Sequence, residues 1–183
     1  MANKIKWGVR NLHYATRTVS GSTITFGTPV AIPGTVNISL SAEGDDTPFY
    51  ADDTEYYRVM ANNGYSGTLE LALIPAAFRA LALGETLNDD GVLIEEADKQ
   101  GSEFALGFEM QGNESNILVW LYNVVASRPD VNAATKEASV TPQTDTLNIV
   151  CRADTDGQVI ARTTDTAATA TKTAWFSTVY KDA

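Results

Sequence analysis

Apolar and polar residues alternate over several short stretches of this chain, the period of an extended strand with one buried face. Val36, Ile38 and Leu40 share a face within Thr35–Ser41, as do Leu69, Leu71 and Leu73 within Thr68–Leu73, and Leu147, Ile149 and Cys151 within Thr144–Arg152. Phe104, Leu106, Phe108 and Met110 occupy one face of a strand that the polar loop Gln111–Asn116 joins to the run Ile117–Val125. That run is apolar on both sides, with Ile117, Val119 and Leu121 on one and Leu118, Trp120, Tyr122 and Val124 on the other. Such a strand is expected to be covered twice, by the domain's own core or by another subunit. Ser20–Ser22 reads as a turn between the weakly alternating residues 5–19 and Thr23–Phe26, and Asn88–Gly91 as a turn between short strand-like pieces. Asp154–Gly157 reads as a turn that pairs Gln158–Thr163 with the strand before it. One helix is expected over Pro75–Leu83, with proline at its first position, Gly84 just beyond its end, and Phe78, Leu81 and Ala82 on the buried face. The pattern predicts a mainly β fold, an antiparallel β-sandwich or open barrel with one flanking α-helix.

Between the first two clear strands lies a long segment, about 41–67, expected to be a loop. Its centre, Glu43–Tyr57, is acidic and aromatic. A loop of that length and composition points to recognition more than to catalysis. Asp45, Asp46, Asp52, Asp53 and Glu55 have the chemistry to hold a hard cation, but their spacing does not match a calcium loop. Paired carboxylates also serve glycoside hydrolysis, which needs them rigidly placed across a cleft, not on a loop. A solvated acidic segment, or polar contact with a partner, is the reading that remains.

The 183 residues suit one domain, with residues 127–143 as a surface connection and about 163–183 as a C-terminal segment. The Thr/Ala-rich residues 163–174 are expected to be mobile and Trp175–Tyr180 to dock. Trp120 reads as core, and Trp7 and Trp175 as anchors of terminal arms. With 13 basic and 23 acidic residues the net charge is -10, which opposes binding to a phosphate backbone but not a surface that DNA merely passes. The single cysteine excludes an intrachain disulfide and a multi-cysteine metal site, and Cys151 reads as a small buried hydrophobe. A catalytic triad would have to be built on the one histidine, His13, and Gly64–Gly67 lacks the spacing of a nucleophile elbow. Neither a phosphate-binding nor a dinucleotide-binding glycine motif occurs. No enzyme activity, cofactor or metal is therefore expected. The N-terminus lacks a signal-peptide core, and the longest apolar run, Ile117–Ala126, is far short of the roughly 20 residues that span a bilayer.

Several blocks together carry a family resemblance: Asn11–Tyr14, Ile32–Leu40, Thr47–Asp53, Asn62–Pro75, Phe78 with Leu83 and Gly84, Asp90–Leu93, Phe104–Phe108 and Thr141–Leu147. In order and spacing they resemble the major tail protein (tail tube protein) family of long, flexible-tailed bacteriophages, over about residues 7–160. The resemblance implies the tail-tube fold, two packed sheets with a flanking helix. It implies hexameric rings whose sheets join into an inner barrel and which stack into the hollow tube that carries DNA during ejection. Its partners would be other copies of itself and tail proteins such as tape measure and tail terminator. DNA would pass the lumen without specific binding, and no membrane would be involved. The protein would be made in the host bacterial cytoplasm and reside in the virion tail. The segment at 41–67 would make the ring-to-ring contact through Asp45, Asp46, Pro48, Phe49, Tyr50, Asp52, Asp53, Tyr56 and Tyr57, with Pro48, Phe49 and Tyr50 as the apolar contacts. Acidic side chains are expected to line the lumen. The alternative is a monomeric β-sandwich adhesion or carbohydrate-binding module on the virion.

Overall fold

The alternating stretches form strands in the computed structural model, which describes residues 5–112, 115–135 and 142–182. In chain order the elements are β1 (Lys6–Ser20), β2 (Thr23–Phe26), β3 (Val30–Ala31), β4 (Thr35–Glu43), β5 (Asp46–Ala51), β6 (Thr54–Met60), β7 (Gly64–Leu71), α1 (Ala76–Leu83), β8 (Thr86–Leu87), β9 (Leu93–Ile94), β10 (Phe104–Gly112), β11 (Ile117–Ala126), β12 (Asp145–Arg152), β13 (Ile160–Arg162) and α2 (Thr169–Ala174). Residues 1–4, 113–114 of the β10–β11 loop, 136–141 of the surface connection and 183 lie outside the described residues.

The large sheet is antiparallel throughout, in the order β2-β1-β10-β11-β12-β7-β4, with β3 added to β1 and β13 to β11. It folds over so that β4 approaches β1. Between the two layers Leu12, Leu69, Leu71, Phe104, Leu106, Val119, Leu121, Leu147 and Ile149 are buried, and α1 closes one end by inserting Phe78, Ala82 and Leu83. Phe78 stacks edge-on against Phe104 at 5.2 Å. The fold is thus mainly β, a sandwich with a flanking helix.

Residues 5–19 form the hairpin with Thr23–Phe26 that the Ser20–Ser22 turn suggests, and β1 also pairs with β10 along most of its length and buries Leu12, Tyr14 and Ala15. Three details differ from the sequence expectation. Pro75 is the extended residue before α1, not its first helical one, and its carbonyl accepts from Phe78 and Arg79, both at 3.0 Å. Val124 lies with Val119 and Leu121 in the main core instead of beside Trp120, because a bulge between the pairs Phe104/Val124 and Leu106/Leu121 adds one residue to β11 and flips its face. Finally, β13 pairs with β11, not with β12. Both edges of β12 are already occupied, by β7 and by Asn123–Ala126, which leaves the first half of β11 open for β13.

The second apolar face of β11 is covered from within the chain. Residues 163–174, expected to be mobile, contain α2, and the aromatic stretch after it lies on Leu118, Trp120 and Tyr122 with Ala15 and Ala105. The Trp120 indole donates to the Trp175 carbonyl at 2.9 Å and the Tyr122 hydroxyl to the Tyr180 carbonyl at 2.7 Å. Phe176 stacks on His13 at 4.5 Å, and Lys181 pairs with Asp154 and Asp156. Gly107 makes the packing possible: a Cβ there would sit 2.7 Å from the Trp120 ring, too close for any side chain. Of the two terminal tryptophans only Trp175 anchors, at 3% exposed, whereas Trp7 is 60% exposed.

Burial also sets a pH response. It pushes the Cys151 thiol up to about 11 and the Tyr122 hydroxyl up to about 12, with Asp154, Tyr180 and Asp182 adding to the second. Folding favours the neutral form of both groups. Their contribution is complete below the ordinary values, 9.0 for the thiol and 10.0 for the phenol, and is lost as pH rises through the shifted ones. Denaturant midpoints should therefore fall above pH 9, and Tyr122→Phe should flatten the upper part of that fall. An unchanged alkaline slope in the variant would remove Tyr122 from the account.

Candidate assembly arm

The segment expected to be a loop is a two-stranded ribbon. β5 and β6 pair with each other and with nothing else among the described residues, and they prolong β4 and β7 beyond the body. Backbone bonds from Ala61 to the Asp45 carbonyl, 3.0 Å, and from Asn63 to the Glu43 carbonyl, 2.9 Å, carry the pairing across the junction. The register slips by one at Gly64, whose φ of 98° only glycine adopts readily and whose Cβ would meet the Cys151 carbonyl at 2.0 Å. At the far end Asp52 and Asp53 both have positive φ, 52° and 60°. Two such central residues make the two-residue turn whose twist suits a hairpin, and aspartate tolerates that region. Those two carboxylates are turn residues first.

Register assigns the side chains to faces. Thr47 opposes Val59 and Phe49 opposes Tyr57, so one face is apolar. Asp46 opposes Met60 and Pro48 opposes Arg58 on the other. There the Arg58 guanidinium donates to both oxygens of Glu55, each at 2.7 Å, and pairs with Asp46. That fork holds the Glu55 carboxyl below the usual carboxylate range, while the Arg58 guanidinium is raised by Glu55 first and by Asp46 more weakly. A slip between Phe49/Tyr57 and Tyr50/Glu55 leaves Tyr56 as the bulged residue. The arm is bare: Phe49, Tyr50, Tyr56, Tyr57 and Met60 are each at least 60% exposed. An isolated two-stranded hairpin is marginal in water, and aromatics held out in this number make the arm a candidate interaction surface.

All nine residues singled out from the sequence fall in or at the root of this arm. Asp45 lies at the root, Asp46, Pro48, Phe49 and Tyr50 in β5, Asp52 and Asp53 in the turn, and Tyr56 and Tyr57 in β6. Val59, Met60 and Arg58 belong with them and were missed, although the alternation of Tyr57 and Val59 was available as a signal. Pro48 and the carboxylates along the ribbon disfavour indiscriminate strand pairing at its edges.

Elsewhere the outer face of β4, β7 and β12 is uncovered and polar. Ranks across it run Asn37, Glu70, Thr146, then Ser39, Thr68, Asn148, then Ser41, Ser66, Val150. Only Glu70 among these is charged, and it accepts from Thr144 at 2.7 Å. Among the described residues no cluster of three His, Cys, Asp or Glu is placed to hold a metal ion, and no helix is long and apolar enough to cross a membrane. His13 bonds the Asn11 carbonyl through Nδ1 at 2.8 Å and stacks on Phe176. Buried Glu109 accepts from Arg10 at 2.7 Å and from the amides of Asn11 and Asn116, which ties the β1 bulge at Asn11 to β10. Scans against protein-family models and against curated proteins found no match.

Proposed function

We propose that this chain is a self-assembling structural protein, the subunit of a phage tail tube, whose hexameric rings stack into a conduit for DNA. The observation that carries this reading is the arm, a ribbon with one apolar face and exposed aromatics, projecting from a body whose own core is complete. A body of this size gains nothing from such an arm as a monomer, and a surface of that kind is buried by association. The family resemblance supplies the ring and tube geometry; the residues of the arm supply the contact. The alternative, a monomeric adhesion or sugar-binding module, would use the same aromatics as a platform without association.

A bore lined by the bare sheet face would carry few of the chain's acids. Six carboxylates, Glu43, Asp45, Asp46, Asp52, Asp53 and Glu55, sit on or at the root of the arm, against one Arg58. The bare face of β4, β7 and β12 is the surface proposed to meet DNA: it presents mainly hydroxyls and amides, with Arg152 as a single cation at its margin and Val150 beside Val125 as a small apolar spot. Placing lysine at Ser39, Thr68 and Asn148 should create salt-dependent DNA retention absent from the parent protein. Equal retention by both would argue against that face lining the bore.

Sedimentation velocity at rising protein concentration tests the main reading. Large, discrete assemblies are expected, and a monomer at every concentration that binds oligosaccharide would support the alternative.

A further inference from the structure

β7 connects two exposed apolar surfaces. At its start, Gly64, the arm leaves the body; at its end come Leu73, at 72% exposed, then α1 and the β8–β9 hairpin. Eight strand residues at about 3.3 Å each place these ends roughly 25 Å apart. The β8–β9 hairpin holds Leu87, Val92 and Ile94 about half exposed. It stays at the α1 end: Arg128, which follows β11, pairs with Glu95, Lys99 bonds Thr86 at 2.7 Å, and the Ser102 amide bonds the Leu81 carbonyl at 2.9 Å.

Given the self-assembly proposed above, we infer that the axial contact is head-to-tail: the apolar face of one copy's arm docks on Leu73, Leu87, Val92 and Ile94 at the α1 end of the next copy. Two different surfaces at opposite ends propagate a stack, whereas one self-complementary surface would stop at a pair. On that face Phe49 and Tyr57, about 150–250 Å² each and roughly two-thirds exposed, supply about 200–330 Å², an apolar centre for the roughly 800 Å² that one side of a stable interface buries, and the exposed part of Val59 adds to it. Acidic groups occur at both ends, the six on the arm and Asp89, Asp90, Glu95, Glu96 and Asp98 around the β8–β9 hairpin. The contact is therefore apolar at its centre and repulsive at its rim, and added salt should promote stacking by screening that repulsion.

Two variants of the full chain test this. Phe49→Asp with Tyr57→Asp disables the arm, and Leu87→Asp with Ile94→Asp disables the acceptor. All four positions are well exposed, so each variant should retain the circular dichroism and melting temperature of the parent. Each alone should raise the concentration needed for stacking by about tenfold or more. When rings of each variant, formed separately, are mixed in equal amounts, they should form assemblies that stop at two layers, because the acceptor-disabled ring still offers arms and the arm-disabled ring still offers acceptors. Stacking that ignores the acceptor substitutions while the arm substitutions block it would overturn the head-to-tail assignment and leave the tube reading standing. A parent protein that never associates at any salt concentration would overturn both.

Discussion

Removing Asp46–Met60 and joining Asp45 to Ala61 through a two-residue turn should abolish self-assembly and leave the body folded. The cut follows from register: Ala61 already donates to the Asp45 carbonyl, so the remaining ribbon closes on an existing backbone bond. A deletion placed by sequence alone, such as Glu43–Tyr57, would take one strand and only part of its partner, leaving Arg58–Met60 unpaired. None of the removed side chains belongs to either buried cluster, so the melting temperature should change little. Sedimentation and calorimetry on the same sample separate the two effects. Assembly at the parental concentration would exclude the arm as the contact, and loss of the cooperative transition would make it part of the folding unit.

A large stability effect is expected at Trp175. Its side chain is 3% exposed and covers Trp120 and Tyr122, while its ring stacks on Tyr180 at 5.1 Å. Trp175→Ala should cost about 3 kcal/mol, the low end for a buried tryptophan, because its buried indole N–H has no hydrogen-bond partner. In a chain of this size that corresponds to a fall of roughly 6 to 12 °C in melting temperature. Trp175→Phe should lose much less, since it keeps a ring and removes the unpaired donor. Equal losses in the two variants would show that a ring of phenyl size contributes nothing at this site and would contradict the packing account. The same experiment tests the claim that the C-terminal segment covers its own β11, because a segment held elsewhere would leave the body's transition unmoved.

These two sites show where sequence was legible. The alternation of Leu69 and Leu71, of Leu147 and Ile149, and of Phe104 through Phe108 gave strands and core together, because in a half-buried strand the side-chain period and the burial period coincide. The two-faced pattern of Ile117–Val125 announced a double cover, and Trp175–Tyr180 announced something that docks; that one is the cover of the other is a tertiary fact with no local signature. The bulge that turns Val124 inward is likewise invisible, since nothing in the composition of Tyr122–Asn123 marks an added residue. Glu43–Tyr57 reads as a loop from sequence and is a ribbon, because its acids mask a strand pattern that becomes regular only when Thr47 is set against Val59 and Phe49 against Tyr57. Net charge is a property of the whole chain, and only register shows that Glu43, Asp45, Asp46, Asp52, Asp53 and Glu55 sit on or at the root of the arm while Glu70 is the one charge in the three ranks across β4, β7 and β12.

Electron microscopy of the purified protein at rising concentration and salt tests the central claim most directly. The account predicts uniform hollow tubes built of six-membered rings, becoming longer as salt screens the acidic ends. Isolated particles of one subunit at every concentration and salt would contradict it.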